Sequence, residues 1–576
     1  MNNFSSNFKP SKRAIKVLQE GLILGPNEKP QEMIERIADS IFNVEKNFGT
    51  PTNEIEKLKK QFGSLIDNKF CILNTAILTN AGRYNKKPLA ACALPPIDLL
   101  KDFAKAEKII NSYHENGMGT GFDLNQTKDP VKTLKILNKI AIKGAESGRE
   151  DRPVGNMATL SIHHPAILRF IDAKLNANRE KWKFNISVDI TDEFLQAVEK
   201  NSKYSLTNGK KLTAKEVFQK IAENAHICGD PGLVFLHRMN LDNPTPHVGR
   251  YTSTAPCAEV GLIPGESCQF GYINLGKFVK QKAINFKKLE KTTRLMTRIL
   301  DNAVEVSLNN YPLEESKKVM QAKRKIGVGI CGLADLLFDL EIPYDSPEAR
   351  KVSTEIMNFI NYISKVESHE LAKSRGSFPA MNDPRCKHIT SPSLIGRKYG
   401  DLNLQKITNK QWKKLDQTIK KTKLLRNAST TSLPPTGRSA LVIDASTGIE
   451  PAFSLLDHGH IHPELIKHLK RHKLWNKKLE AQILADRTLK NIDKLPQRTK
   501  QIFKTALEIG YKDHILMAAA LQKTVDESIS KTINISFDKS PQDVFEIYKD
   551  AYKLGLKGVS VFRNLSRESQ PRNLGN

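Results

Sequence analysis

Apolar and polar positions in the first seventy residues recur with the period of an α-helix. Apolar side chains return every three or four residues after Pro10, and again after Pro30. The second run consists of Met33, Ile34, Ile37, Ala38, Ile41 and Phe42. This pattern predicts a helical N-terminal domain over residues 1–75.

Beyond residue 75, short apolar runs typical of buried strands alternate with helical stretches. FNISVDI (184–190) alternates apolar and polar residues as a strand does, and the following TDEFLQAVEK begins a helix at a Thr or Asp cap. Further strand candidates are residues 232–236, 325–330 and 558–562, and residues 513–532 are predicted to be helical. Because no internal repeat or long linker divides this region, we predict one α/β domain with a largely parallel sheet over residues 76–565, and a tail at 566–576.

The net charge of the chain indicates that polyanions are a possible class of partner. Ninety Lys and Arg against 62 Asp and Glu leave a net charge of +28, which attracts polyanions from nucleoside phosphates to RNA. Lysines scattered over a solvated surface explain the same charge without any partner. We find no apolar run of about 18 residues and no secretory signal, so we expect a soluble cytoplasmic protein without a membrane span.

Seven cysteines are too few, and odd in number, for a secreted disulfide framework, so any disulfide here is expected to be catalytic. Two of them, Cys257 and Cys268, lie in the turn-rich stretch STAPCAEVGLIPGESCQF (253–270), where Glu259 follows the first by two positions. Such a loop suits the presentation of a thiol to a cavity. Cys71, Cys228, Cys331 and Cys386 are predicted instead to be simple buried thiols.

Three further motifs have local chemistry of their own. GMGTGFD (117–123) lacks the dinucleotide-binding spacing, but its alternate glycines allow a ligand to approach the backbone closely. LPPTGRSA (433–440) offers backbone and hydroxyl donors to a phosphate, without the lysine of a P-loop. The histidines of DHGHIH (457–462) are explained as well by a basic surface as by a metal, and no metal site is predicted.

Taken together and in order, these stretches resemble the catalytic subunit of ribonucleotide reductases, most closely the class II, adenosylcobalamin-dependent enzymes. The resemblance also includes LTNAGRYNKKPLAACALPP (78–96), GNMATLSIHHPAILRFIDAK (155–174), DPGLVFLHRMNLDNPTPH (230–247), RKIGVGICGLADLLFDLEIPYDS (324–346), LRNASTTSLPPTGRSALVIDASTGIEPAF (425–453) and residues 531–570. It covers nearly the whole chain. It implies a ten-stranded α/β barrel with a central finger loop.

The resemblance also implies catalytic roles. Cys257 matches the cysteine that becomes a thiyl radical and removes the 3′ hydrogen of the ribonucleotide. Cys92 and Cys268 match the pair that reduces the 2′ position and ends as a disulfide, and Glu259 matches the carboxylate that handles the 3′-hydroxyl proton. Such chemistry needs a nearby acid or base and a neighbouring dithiol.

Ligand sites follow from the same likeness. The matched substrate-binding positions are Thr75, Ala91, Gly119, Ala255, Pro435, Thr436, Gly437, Arg438 and Ser439, of which the last five fall where the family binds phosphate. Asp98 and Arg152 match positions near an effector deoxynucleotide at a homodimer interface. The implied cofactor is adenosylcobalamin, and the implied reductant is an external dithiol such as thioredoxin.

Val561 and Phe562 stand where class I subunits have paired tyrosines, which favours a locally generated radical. Four departures from the family leave alternatives open. Ala255 replaces a usual asparagine and Ile77 a common threonine, the C-terminus has no cysteine pair, and the N-terminus is too short for an ATP cone. The chain is therefore an active reductase with a simplified site, a divergent radical enzyme acting on another ribose such as that of RNA, or a nucleotide- or RNA-binding relative without catalysis.

Overall fold

The computed structural model describes residues 4–83, 87–96, 102–146, 154–175, 182–457, 459–564 and 566. The helices in this part of the chain are α1 Lys12–Glu20, α2 Pro30–Phe42, α3 Thr52–Asp67, α4 Thr75–Asn80, α5 Phe103–Glu115, α6 Pro130–Glu146, α7 Ile167–Ile171, α8 Asp192–Glu199, α9 Ala214–Cys228, α10 Leu236–Leu241, α11 Phe286–Ser307, α12 Glu314–Lys323, α13 Leu333–Leu340, α14 Pro347–Arg375, α15 Leu394–Tyr399, α16 Asn409–Thr422, α17 Gly437–Val442, α18 Pro463–Arg471, α19 Lys477–Asp486, α20 Gln497–Ile502, α21 Tyr511–Gln522 and α22 Pro541–Lys553. The strands are β1 Cys71–Leu73, β2 Cys92–Ala93, β3 Gly119–Asp123, β4 Asn156–Ser161, β5 Phe184–Asp189, β6 Lys203–Ser205, β7 Lys211–Thr213, β8 Gly232–Val234, β9 Ser253–Thr254, β10 Gly261–Leu262, β11 Ser267–Asn274, β12 Val279–Lys280, β13 Ala283–Ile284, β14 Ile326–Cys331, β15 Leu456–Asp457, β16 His460–Ile461, β17 Thr532–Ile535 and β18 Gly558–Arg563.

The N-terminal helices form where the apolar period predicts them. In α2 the six apolar residues of the predicted face are all fully buried. Ser11 caps α1, because its side chain accepts a hydrogen bond from the amide of Ala14. These helices share one continuous hydrophobic core with the strands that follow. The domain boundary at residue 75 therefore does not coincide with a break in the core, and it stays a prediction.

Ten strands form the central sheet. Its order is β1-β11-β2-β3-β4-β5-β8-β18-β17, and β14 pairs with the other side of β11. Most of these pairs are parallel; the antiparallel ones are β1 with β11, β11 with β2, and β18 with β8. An extended segment closes the gap between β14 and β17, since Val328 is bridged to Thr431 and Leu433 to Ile529. The predicted ten-stranded α/β barrel with a helical N-terminus is confirmed.

The predicted strands also form, but one predicted helix is too long. FNISVDI becomes β5, and Thr191 caps α8 by accepting from the amide of Phe194. The helix expected over 513–532 ends at Gln522, and β17 begins at Thr532. The residues between them bond to the barrel instead: Ser528 N donates to Glu259 O at 3.1 Å. Tertiary hydrogen bonds thus override a local helical pattern.

Among the described residues, no helix is both long and apolar enough to cross a membrane.

Candidate active site

The finger loop is the hairpin that joins β9 to β10. Across its base the Ala255 amide donates to Val260 O at 3.0 Å, and the Ala258 amide donates to Ala255 O at 3.0 Å. Ala258 has a φ of +60°, the left-handed conformation that such a tight turn requires. Cys257, half-buried, therefore lies at the tip of the loop.

Glycines of the surrounding strands make room for this tip. A Cβ at Gly119 would lie 2.8 Å from Pro256 Cγ and 2.6 Å from Gly155 O, and one at Gly121 would lie 2.3 Å from Thr254 O. The alternate glycines of residues 117–123 therefore allow a close backbone approach, as the sequence indicates, but what approaches is the finger loop of the same chain. The role of Gly119 as a substrate contact stays a prediction.

Hydrogen bonds hold the finger loop from two sides. Asn185, in β5, donates from Nδ2 to Pro256 O at 3.1 Å. On the other side, Ser432 Oγ donates to Glu259 O at 2.7 Å, and Ser528 N donates to the same oxygen at 3.1 Å. The position of Cys257 is thus determined by segments far apart in the chain.

Cys92 and Cys268 are directly opposite each other in the antiparallel pair of β2 and β11. Opposite residues of such a pair share a face, with Cβ atoms about 4.5–5.5 Å apart, and this is close to the spacing that a disulfide needs. Both side chains are buried, and all seven cysteines are in the thiol form. Cys92 is also aligned with Gly119 of β3, the residue against which Pro256 packs. The barrel therefore brings the predicted cysteine pair next to the tip of the finger loop.

Glu259 is suited to proton transfer near neutral pH. It is only 5% exposed, and its Oε2 accepts the Cys257 amide at 3.0 Å. Burial raises the pKa of this carboxyl to about 7, against the smaller lowering effect of the amides of Glu259 and Cys257. A carboxyl with such a pKa exchanges its proton readily at physiological pH.

The two paired thiols are protonated in this environment. Burial raises the pKa of Cys92 and of Cys268 well above the ordinary value, and the ammonium of Lys325 acts in the opposite direction on both. The four cysteines predicted to be simple buried thiols, Cys71, Cys228, Cys331 and Cys386, are buried. A pair of neutral, adjacent thiols is suited to donating two electrons and two protons.

The predicted phosphate-binding residues 435–439 lead into the six-residue helix α17, with Thr436 as its N-cap residue. The Ser439 amide donates to Thr436 O at 2.9 Å, whereas the amides of the first two residues of a helix have no acceptor within it and can bind an anion. Thr436 Oγ1 accepts the Gly448 amide at 2.9 Å, and Ser439 Oγ lies 3.4 Å from Thr75 Oγ1. Thr436 also lines a cavity of about 210 Å³, whose other walls include Pro435, Glu450 and Phe562. The structure thus brings Thr75 together with the predicted phosphate loop.

Of the remaining predicted residues, Ala91 and Ala255 lie in the described part of the chain. Ala91 precedes the cysteine pair, donating from its amide to Cys268 O at 3.0 Å and accepting from the Gly119 amide at 3.1 Å. Ala255 is completely buried at the base of the finger loop. Asp98 and Arg152, the predicted effector residues, lie outside the described residues.

Sequence reasoning missed a group of buried charges beside the cysteine pair. Lys323, Lys325, Glu266 and Glu527 have side chains that are at most 4% exposed. Only the lysine that begins the strand candidate KIGVGI was a signal, since a charge beside a buried strand needs a partner.

A second charged cluster lies away from this site. Glu341 Oε1 accepts His468 Nδ1 at 3.0 Å and lies 3.4 Å from His472 Nε2. Arg471 and Lys282 also bind this oxygen, at 2.7 and 3.1 Å. Because cations already surround the carboxylate, we interpret the cluster as an ionic network.

Comparison with known proteins relates this arrangement to one family. Residues 116–562 match the family model for the ribonucleotide reductase barrel domain. The chain is 33% identical to a vitamin B12-dependent ribonucleoside-diphosphate reductase of Thermoplasma acidophilum, over 88% of this chain and 66% of that protein. It is 32% identical to one of Mycobacterium tuberculosis, over 98% of this chain and 80% of the relative. The fold is also that of the class Id ribonucleotide reductase alpha subunit of Actinobacillus ureae, with a TM-score of 0.75, 18% identity, and coverage of 98% and 99% of the two chains.

Proposed function

The chain belongs to the ribonucleotide reductase family, and we propose that it reduces ribonucleotides to 2′-deoxyribonucleotides with adenosylcobalamin as its radical source. One observation carries the proposal: the finger loop holds Cys257 and Glu259 next to the opposed pair of Cys92 and Cys268. A protein that only bound nucleotides would need neither the paired thiols nor a carboxyl with a pKa of about 7.

The chemistry of the four residues is complementary. The thiyl form of Cys257 takes the 3′ hydrogen of the ribose and returns it at the end of the cycle. Glu259 takes the proton of the 3′-hydroxyl, and the 2′-hydroxyl leaves as water. Cys92 and Cys268 together give two electrons and two protons and become a disulfide, so that one ribonucleotide and two thiols yield one deoxyribonucleotide, one disulfide and one water.

The residues around the finger tip fit a radical source that binds locally. Ala258 touches β18 at Gly558, where a Cβ would lie 3.1 Å from the Ala258 methyl group, and Phe562 of the same strand lines the cavity that Thr436 also lines. Strand β18 contains no tyrosine or tryptophan that could carry a radical over a distance. Phe562 would contribute to holding the cofactor, which supplies, when bound, the radical that oxidises the Cys257 thiol. Two relatives are named as dependent on vitamin B12.

The phosphate groups of the substrate are assigned to residues 435–439, with Thr75 beside them. The support is the first turn of α17, where the first two helical amides have no acceptor within the helix, and the approach of Ser439 Oγ to Thr75 Oγ1. The two relatives are named as diphosphate reductases, so a ribonucleoside diphosphate is the first substrate to try.

The partners complete the proposal. We include an external dithiol such as thioredoxin to reduce the disulfide, and an effector deoxynucleotide at a homodimer interface near Asp98 and Arg152. A cytoplasmic location suits a site whose thiols must be regenerated, because that compartment is reducing.

The test is an anaerobic assay with purified protein, adenosylcobalamin, dithiothreitol and the four ribonucleotides as di- and triphosphates. Deoxynucleotide is measured by chromatography and the cofactor by its absorption spectrum. We expect product from the wild type and none from Cys257→Ser. The matched control is Cys228→Ser, because Cys228 Sγ donates to Asp230 O at 3.3 Å and a serine hydroxyl keeps that bond.

Each outcome has a distinct meaning. Product formation by Cys257→Ser would refute the thiyl assignment. Cofactor cleavage by the wild type without deoxynucleotide would refute nucleotide reduction and direct the search to another ribose, such as that of RNA. If the wild type neither cleaves the cofactor nor forms deoxynucleotide, the proposal as a whole is contradicted.

A further inference from the structure

Lys325 stands next to the cysteine pair in the sheet. The parallel register of β11 and β14 pairs Gln269 with Ile326, so the preceding residues, Cys268 and Lys325, are neighbours. Neighbours in the same register position point to the same face of a sheet. Because Cys268 is also opposite Cys92, Cys92, Cys268 and Lys325, the residue before β14, form one row that faces the finger loop.

The ammonium group of Lys325 is fully buried and held in one position. Its Nζ donates to Gly261 O, in β10 of the finger hairpin, at 2.8 Å and to the Tyr251 hydroxyl at 3.1 Å. It also lies 3.1 Å from the Glu266 carboxylate and 3.3 Å from that of Glu527. A buried lysine with four partners cannot turn away from its neighbours without leaving several of them unpaired.

The groups around Lys325 keep it charged. The titratable groups that face it are Tyr251, Glu266, Lys323, Glu527 and the thiols of Cys92 and Cys268. Burial alone would lower the pKa of Lys325, but the carboxylates of Glu266 and Glu527 raise it above the ordinary value. A cation is therefore fixed beside two thiols whose thiolate form is disfavoured by burial and by carboxylates, those of Glu259 and Glu266 for Cys92 and those of Glu527 and Glu266 for Cys268.

We propose that Lys325 is a positioning residue for the redox pair: its ammonium group stabilises the Cys268 thiolate that leaves when the Cys92–Cys268 disulfide is reduced. This inference rests on the proposed function, which gives the pair its redox role. Cys268, not Cys92, is the leaving sulfur because it is the member of the row next to Lys325.

The reduction proceeds by thiol–disulfide exchange. One thiolate of an external dithiol attacks Cys92 Sγ, the S–S bond breaks, and Cys268 Sγ keeps the electron pair as a thiolate. The second thiolate of the reductant displaces Cys92 from the mixed disulfide, and the reductant becomes a disulfide itself. Both cysteines end as thiols carrying the two protons that the reductant has lost. Exchange is faster when the leaving thiolate is stabilised.

The experiment measures this exchange without turnover. The protein is oxidised with diamide, reduced with dithiothreitol between pH 6.5 and 9.5, quenched by alkylation, and analysed by mass spectrometry for the peptides of Cys92 and Cys268. The variants are Lys325→Gln, which keeps a hydrogen-bond donor without the charge, and Lys325→Arg, which keeps the charge. The matched control is Lys323→Gln, since Lys323 is equally buried and lies 2.6 Å from the same Glu266 but is not in the row.

We expect reduction in Lys325→Gln to be about tenfold slower at pH 8, with its pH profile moved upward, because a neighbouring cation no longer favours the thiolate. Lys325→Arg should recover most of the rate, and Lys323→Gln should stay within about twofold of the wild type. If Lys325→Gln fails to fold, Lys325→Met replaces it.

Two results would overturn the inference, and they differ in reach. Equal reduction rates for Lys325→Gln and the wild type would remove the role of Lys325 and leave the proposed function intact. Equal slowing in Lys325→Gln and Lys323→Gln would do the same. Failure of the wild type to form a Cys92–Cys268 disulfide would remove the redox pair, and with it both proposals.

Discussion

Gly119→Ala tests whether the finger loop needs the space that this glycine provides. The added methyl group would lie 2.8 Å from Pro256 Cγ and 2.6 Å from Gly155 O, whereas ordinary contacts begin near 3.4 Å. Pro256 and Gly155 O, or the strand itself, must therefore shift by roughly 0.6–0.8 Å, the shortfall from normal contact distances. Overpacking of this kind costs about 1–3 kcal/mol of folding free energy.

The catalytic effect should exceed the effect on stability. Cys257 is the residue after Pro256, and a displacement approaching 1 Å in a reacting group can reduce the rate by about a hundredfold. We expect deoxynucleotide formation by Gly119→Ala to fall between about tenfold and a hundredfold, with a modest decrease in the thermal denaturation midpoint. The rate of Cys257 alkylation, which needs no cofactor, should change as well.

The matched control is Gly25→Ala. A Cβ there would lie 3.4 Å from Glu28 Oε2, an ordinary contact, so both measurements should stay close to the wild type. Turnover and Cys257 alkylation in Gly119→Ala within twofold of the wild type would refute the argument that the glycine positions the finger loop.

Two further predictions concern stability. Because burial raises the pKa of Glu259 from its ordinary value of 4.5 to about 7, the folded state binds more protons than the unfolded state at pH values between these two. The free energy of unfolding contributed by this protonation is fully present below pH 4.5 and should therefore fall by about 3 kcal/mol as the pH rises to 7. Glu259→Gln should remove this fall from a plot of the denaturation midpoint against pH. Parallel curves for the variant and the wild type would contradict the raised pKa. Asp301 is fully buried and binds the guanidinium groups of Arg324, Arg375 and Arg426 at 2.9–3.2 Å. Asp301→Ala should destabilise the protein by about 3–5 kcal/mol, whereas Asp401→Ala, which breaks an exposed pair with Lys413, should cost at most about 1 kcal/mol; equal midpoints in a denaturant titration would refute this reasoning.

Motifs along the chain predicted most residues of the candidate site, but not their arrangement. Cys257 and Glu259 lie in one loop and could be recognised together. Cys92 is far from Cys268 in the chain, and only the register of β2 and β11 makes them neighbours. The position of Lys325 before an apolar strand signals that it needs a partner but not which one, because a single lysine there is compatible with many partners.

The sequence by itself determined the elements whose burial is periodic. The buried face of α2 and the strand β5 could be predicted because a helix or strand with one buried face repeats its apolar residues at its own period. The tertiary structure alone decided the end of α21 at Gln522, the use of Gly119 by the finger loop, and the row of Cys92, Cys268 and Lys325. These features depend on hydrogen bonds and contacts between residues distant in the chain, and a local pattern of apolar and polar positions contains no information about such pairs.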